Sequence, residues 1–574
     1  MSRPVSSRRN FLRQAGSSVL LGVAGVGSAG DGARVPDPAN PLFLHGVASG
    51  DPLSDRVILW TRVSVEAAVE VGWAVALDAD MRKVVASGSA RAVAERDFTV
   101  KVDVSGLLPG QTYFYRFLAD GIESPVGRTR TLPAAGVEQV RLAVFSCANY
   151  PAGYFHAYAD AALRDDIDAA VHLGDYIYEY ERTGYACGKA AALGRLSEPP
   201  CALMALDDYR TRYAQYRGDR DLQALHAAVP MIAVWDDHEF ADDTWRDGAA
   251  GHEETPAHPF AARKAAAIQA YHEWMPIRSS SPDQLDHIYR SFDFGQLLSL
   301  HMLDTRLVGR DKQLDMADFC DAKGRFDAGA YHQALASPAR SMMGQDQLQW
   351  LEQQCAASSA RWQVLGQQVL MAPMEFPLPV ACGELSVEEY ATLKEVERAV
   401  PERLSAAERA QLCAPSLPCY LDSWDGYPHT RAQVFDIMRR QRKNLVVLAG
   451  DSHNAWASNL HDARGQLCGV EFAVPSVSSP GLECRYPDTP APEVARMYQQ
   501  AVPSVFYAQT SKRGYLLLTA TDTEVRADWR FVSTVEDRNY QAVFGRSLRT
   551  FAGPGRQGLQ DCASLPCNSP ASLL

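Results

Sequence analysis

Four apolar runs in this chain break off directly into side chains that bind metals or move protons, and no other feature constrains the fold as tightly. Residues 140–145 lead into Ser146-Cys147, and residues 169–173 into Gly174-Asp175-Tyr176-Ile177-Tyr178. Residues 229–235 lead into Asp236-Asp237-His238-Glu239, and residues 445–448 into Gly450-Asp451-Ser452-His453. Short apolar runs bounded by turn residues read as buried strands. Further strands are expected at 297–303 and 363–371, with an amphipathic helix at 154–164. Strands alternating with helices imply stacked α/β layers around a largely buried sheet. Such sheets place their sites just beyond the carboxyl ends of the strands. One aspartate after a strand is usually a cap or a turn, and one cysteine a small buried hydrophobe. Four such clusters at four strand ends point instead to a shared site.

The stretch before residue 138 has a different rhythm. From 42 to 132, short alternating segments such as Val57-Ile58-Leu59-Trp60 and Phe98-Thr99-Val100-Lys101-Val102 read as β. Leu107-Leu108-Pro109-Gly110 followed by Gln111-Thr112-Tyr113 matches the tyrosine-corner entry to a late strand of a fibronectin-like sandwich. Residues 132–136 read as a linker. Upstream, Arg8-Arg9-Asn10-Phe11-Leu12, a short apolar stretch and a small-residue exit form a twin-arginine signal peptide over 1–30. That route carries folded proteins and suits one that loads a metal first. The predicted location is therefore outside the cytoplasm, periplasmic or extracellular, with the twin-arginine export machinery as a partner. With 69 acidic against 56 basic residues, the net charge of -13 argues against a nucleic-acid binder. No apolar run reaches the roughly 18 residues of a transmembrane helix. The 12 cysteines include no CxxC pair, so a zinc ribbon is not expected. Cys187/Cys201, Cys468/Cys484 and Cys562/Cys567 are candidate disulfides for an oxidising compartment.

The order GDxxY, a DHE-type motif and a late GxxH is similar to the purple acid phosphatases. Phe145-Ser146-Cys147, Gly174-Asp175-Tyr176-Ile177-Tyr178-Glu179, Trp235-Asp236-Asp237-His238-Glu239 and Gly450-Asp451-Ser452-His453 resemble the PhoD-type alkaline phosphatases more closely. His45-Gly46-Val47-Ala48-Ser49-Gly50-Asp51-Pro52 also resembles that family. The resemblance implies an α/β fold: a four-layer metallophosphatase-type β-sandwich flanked by helices, preceded by a small fibronectin-like all-β sandwich. The expected boundaries are 1–30 for the signal, 40–134 for the sandwich, 138–535 for the catalytic domain and 536–574 for a tail. Cys147, Asp175, Tyr178 and His453 would then bind Fe(III), which phenolate, a hard anionic donor, favours. Asp175 would bridge to a second site completed by Asp237 and Asp451. That site is all oxygen and suits Ca(II) over zinc. Where relatives carry asparagine, the chain has Ala241-Asp242-Asp243, and Asp242 reads either as an extra calcium ligand or as a solvated loop acid. The VxxH histidine of the purple acid phosphatases has no equivalent near residues 365–369.

The function so implied is an exported phosphoesterase acting on small-molecule phosphomonoesters, and on diesters too, by metal-activated hydroxide attack. His238 reads either as the general acid at the leaving oxygen or as a hydrogen-bonded orienter. Arg306 reads either as a fork for a non-bridging phosphate oxygen or as a structural ion-pair arginine. Alternatives are a phospholipase D-like diesterase acting on lipid headgroups or wall polymers, and a surface binding protein with a degenerate enzyme domain. A mononuclear zinc hydrolase conflicts with the missing HExxH and the carboxylate-rich second site.

Overall fold

Two sheets packed face to face organise the catalytic part of the chain. The structure is a computed structural model that describes residues 40–279, 284–553, 555 and 557–562. The predicted signal peptide over 1–30 lies outside the described residues. The first sheet has ten strands and is parallel at its centre, where Gln139–Phe145, Ala169–His172, Met231–Ala233 and Val47–Gly50 lie side by side. The second has seven, with a parallel core of Leu298–Met302, Trp362–Gly366, Asn444–Ala449 and Leu467–Ala473. Parallel strands are covered on both faces, which is why Asn444–Ala449 and Ala169–His172 are buried throughout and read as unbroken apolar runs.

One core joins the sheets: Val144 and Leu516 of the first share a cluster with Leu300, Val446 and Phe472 of the second. Trp529 reaches across, its ring 5.9 Å from Phe472 and 4.9 Å from Tyr507. Helices close both outer faces. Leu206–Arg217 and Phe260–Trp274 contribute to the core that includes the first sheet, while Gly344–Ala357 and Pro428–Arg440 pack on the second. Four layers result, as expected. The predicted strand at 363–371 stops at Gly366. Beyond it the chain turns, and the Gln368 amide donates to the carbonyls of Trp235 (2.8 Å) and Leu303 (2.9 Å), binding three strand ends together.

The N-terminal unit is a sandwich, but one of its sheets is not its own. Val84–Ala92, Val69–Ala76 and Thr112–Ala119 form a separate sheet, whereas Val47–Gly50, Arg56–Arg62 and Thr99–Ser105 extend the ten-stranded catalytic sheet. The boundary at 134–138 is thus crossed by hydrogen bonds, as in Gly50 paired with Met231. Asp51 adds a buried anchor, its carboxylate gripped by Arg290 at 2.7 and 2.8 Å and by the Arg278 amide at 2.6 Å. The tyrosine corner is present: the Leu108 amide donates to the Tyr113 hydroxyl at 2.8 Å.

Two expectations need correction. The segment from 536, read as a tail, supplies Ala542–Phe551 to the large sheet, pairing with Glu524–Val532, so the sheet runs past residue 535. The hydrophobic periodicity there is interrupted by Arg546 and Arg549, which hid the strand. The cysteines Cys187, Cys201, Cys468, Cys484 and Cys562 are free thiols, so the disulfides proposed for them are not formed; Cys567 lies outside the described residues. Cys468 turns its thiol to the Gln466 carbonyl, and Cys484 sits in a separate exposed turn.

Candidate metal centre

The strand ends that carry the motifs converge at the edge where the two sheets meet. Three of them are followed by turns tight enough to force the left-handed region: φ is 61° at Cys147, 54° at Asp175, and 56° and 62° at Asp451 and His453. For residues other than glycine this conformation costs on the order of 1–2 kcal/mol each and clusters at functional sites. Gly174 is required outright. Its φ is 106°, and a Cβ there would lie 2.4 Å from the Asp236 Cβ. Gly450 lets the late strand end approach the first, since a Cβ would sit 2.8 Å from that of Ser146.

Ligand atoms of Cys147, Asp175 and His453 all lie within 4.8 Å of one another. Tyr178 joins them, its hydroxyl 3.1 Å from Asp175 Oδ2 and 3.2 Å from His453 Nε2. The Pro480 carbonyl accepts from His453 Nδ1 at 2.9 Å, so that nitrogen carries the proton and the Nε2 lone pair faces the cluster. Ser479 donates to the Tyr178 hydroxyl at 2.7 Å, while burial and Asp175 push that phenol well above its usual range.

A second group shares Asp175. The carboxylates of Asp175, Asp236, Asp237 and Asp451 also converge within 4.8 Å and are buried. Arg306 lies beneath them, its guanidinium wholly buried. It donates to Asp236 at 2.5 Å and to Asp422 at 2.8 Å, with Asp237 and Asp451 at 3.5 and 3.8 Å. Four buried carboxylates on one guanidinium are costly unless further cations neutralise them. Burial, together with the neighbouring carboxylates, pushes the Asp175 and Asp236 carboxyls well above the usual range. Burial and Asp175 likewise push the Cys147 thiol up. The donor set therefore fits two cations bridged by Asp175: one among thiol, phenol and imidazole, the other among carboxylates. Asp242 groups with Asp237 and Asp243, away from Asp175 and Asp451.

His238 is buried beside this cluster, stacked on the Tyr178 ring at 4.4 Å. Its Nδ1 is 2.8 Å from Glu179, and its Nε2 faces Asp242 at 3.9 Å. Burial alone would lower its pKa, but Asp237, Glu179 and Asp175 outweigh it and hold the ring protonated. The Arg306 guanidinium is enclosed by the site's own carboxylates and does not reach solvent, the geometry expected of an ion-pair arginine.

Other positioning residues were not singled out from the sequence. Glu239 accepts the backbone N–H groups of Asp175 (3.0 Å), Tyr176 (2.5 Å) and Asp236 (2.6 Å), fixing both strand-end turns. Its place in the Asp-Asp-His-Glu run was the available signal. Glu179 likewise closes the Gly-Asp-Tyr-Ile-Tyr-Glu run. Asp422 stands in a loop with no such signal.

Comparisons with known proteins agree with this geometry. The family described as PhoD-like phosphatase matches residues 142–529, and its N-terminal domain matches residues 29–133. Alkaline phosphatase D of Bacillus subtilis (strain 168) is 35% identical over 556 residues, covering 92% of this chain and 85% of that protein. A solved structure described as PhoD superposes with a TM-score of 0.73 at 32% identity, covering 93% of this chain and 94% of the other. Cys147, Asp175, Tyr178 and His453 converge, as do Asp175, Asp237 and Asp451, which argues against a degenerate binding domain. With the fold, the converging donors and these similarities in agreement, the chain belongs to the PhoD-like phosphatase family and is a metal-dependent phosphoesterase.

Proposed function

We propose that this protein is an exported alkaline phosphatase and phosphodiesterase that works with Fe(III) and Ca(II). The observation that carries the reading is the sharing of Asp175 by two unlike donor sets, one containing a thiol, a phenol and an imidazole, the other built of carboxylates. Cys147, Asp175, Tyr178 and His453 would hold the iron. Asp175, Asp237 and Asp451 would hold calcium. When bound, the two metals supply charge against the phosphoryl oxygens and make water a competent nucleophile near neutral pH.

The chain's own residues do the rest. His238, protonated and held at Nδ1 by Glu179, is placed to give the Nε2 proton to the leaving oxygen as the phosphorus–oxygen bond breaks. Pro480 and Tyr185 fix the His453 ring from behind. Arg306 and Glu239 hold the acidic turns in register. The substrates are small-molecule mono- and diesters.

Metal analysis and visible spectra of the wild type, Cys147→Ala and Tyr178→Phe test the site. One iron per chain and a visible charge-transfer band are expected in the wild type, with loss of iron in Cys147→Ala and a shifted band in Tyr178→Phe. Calcium chelation should abolish hydrolysis of chromogenic mono- and diesters, and added calcium should restore it. Wild-type iron and spectra in both variants, or full activity with calcium gone and zinc stoichiometric, refute the assignment. Export rests on Arg8-Arg9-Asn10-Phe11-Leu12. Replacing both arginines by lysine keeps the charge and should retain the protein inside the cell, and undiminished export would exclude the twin-arginine route.

A further inference from the structure

Beyond the strand Leu467–Ala473 lies a short run, Ser476-Val477-Ser478-Ser479, buried at every position. Polar residues buried this deeply need partners for their hydroxyls and amides. The partners are the turns that carry the thiol, the phenol and the imidazole. The Val477 amide donates to the Ser146 carbonyl at 2.9 Å, and the Ser479 amide to the Cys147 carbonyl at 3.3 Å. The Ser476 amide donates to the His453 carbonyl at 3.3 Å, while Pro480, next in the chain, accepts from His453 Nδ1. The run is itself braced, by Ser476 Oγ on the Ser479 carbonyl and by the Gly514 amide on the Ser476 carbonyl at 3.0 Å. It thus ties together residues that follow strands of both sheets, since Cys147 and Tyr178 lie beyond strands of the first and His453 beyond a strand of the second.

One hydroxyl of the run differs from the others. Ser476 and Ser478 donate to backbone carbonyls, of Ser479 and Asn149, but Ser479 Oγ stands 2.7 Å from the Tyr178 phenol oxygen. Burial and Asp175 disfavour charge on that oxygen, and the Ser479 hydroxyl acts against them. An ionised phenol can only accept, so a serine at this distance turns its proton toward it. A hydrogen bond to an anionic oxygen is roughly twice as strong as a neutral one, and it draws electron density from that oxygen.

We propose that Ser479 is a positioning residue of the metal centre: its hydroxyl holds the Tyr178 oxygen in place and tempers its donation to the metal, with residues 476–480 as the bracket that fixes it. The inference rests on the reading of Cys147, Asp175, Tyr178 and His453 as iron ligands. Partners of this kind, one bond removed from the metal, set both the orientation and the donor strength of a ligand.

The full-chain wild type, Ser479→Ala and Ser478→Ala, each purified with its metal, are compared by visible spectroscopy and by competition with an iron chelator. Without the hydrogen bond the phenolate gives up charge more readily, so the charge-transfer band of Ser479→Ala should move to longer wavelength. Its iron should be held about 10- to 100-fold more weakly. Ser478→Ala removes an equally buried hydroxyl that faces only backbone, and should leave the band in place. Should Ser479→Ala not fold, resonance Raman spectra of the wild type serve instead: the phenolate stretch should shift on exchange from H2O to D2O, and an unshifted stretch overturns the proposal. A wild type with neither iron nor a visible band refutes the iron reading itself. A wild-type band that Ser479→Ala leaves unmoved, with iron held as tightly, or that Ser478→Ala moves equally, overturns this proposal alone.

Discussion

Arg306→Met separates a counter-ion from a substrate-binding arginine, because the two roles predict different losses. Methionine matches much of the side chain's length and apolar stem, so packing is largely kept and charge alone is removed. In the folded protein the guanidinium makes close bonds to Asp236 and Asp422, while Asp237 and Asp451 stand too far for a good hydrogen bond. Both partners of the close bonds are buried, so solvent does little to screen them. Breaking a buried pair by removing one partner costs about 3–5 kcal/mol, because the other charge is left uncompensated. Two bonds to charged groups at about 1.5–3 kcal/mol each give about 3–6 kcal/mol, an overlapping range. Cations held as proposed would neutralise Asp237 and Asp451 and so recover part of this, yet neither close partner of Arg306 would be relieved by that. We therefore expect a loss of about 3–5 kcal/mol in urea unfolding of the metal-loaded protein, with the calcium content reduced. Arg306→Lys should recover only part, since one ammonium cannot span Asp236 and Asp422. If Arg306→Met is as stable as the wild type and keeps its metals, while KM for phosphate esters rises, the arginine binds substrate and this account of it is wrong.

Other consequences follow from single contacts. Gly174→Ala places a Cβ against Asp236 in a left-handed turn, and should lower metal content and turnover at least tenfold while the sandwich and its tyrosine corner stay folded by circular dichroism. Glu471, which accepts the amides of Met371 and Ala372, has its pKa raised from 4.5 to about 7 by burial. A carboxyl with a raised folded-state pKa contributes most when protonated, and that contribution is lost as pH climbs from about 4.5 to about 7. Between pH 5 and pH 8 the wild type should thus lose about 2–3 kcal/mol relative to Glu471→Gln in denaturant unfolding. A constant gap across that range would rule out the burial effect.

What the sequence determined by itself is the list of chemistry-bearing residues and the class of fold around them. Buried parallel strands must be apolar on both faces, so their positions show as runs, and the polar residues at their ends are conspicuous by contrast. Cys147, Asp175, Tyr178, Asp237, His238, Asp451 and His453 were legible for that reason, as was Tyr113 from its spacing to the preceding loop. The strand Ala542–Phe551 was not, because a mostly half-buried strand next to the sheet edge, interrupted by two arginines, carries no such run. Nor could a string of residues say that Val47–Gly50 would pair with Met231–Ala233 and merge two predicted domains into one sheet. Only the tertiary structure showed what surrounds Arg306. A buried guanidinium among carboxylates and one reaching for substrate have the same local sequence, and what separates them is Asp422, 116 residues away, on its far side. Local pattern reports what each segment can bury; the balance of charge inside is set by which segments meet.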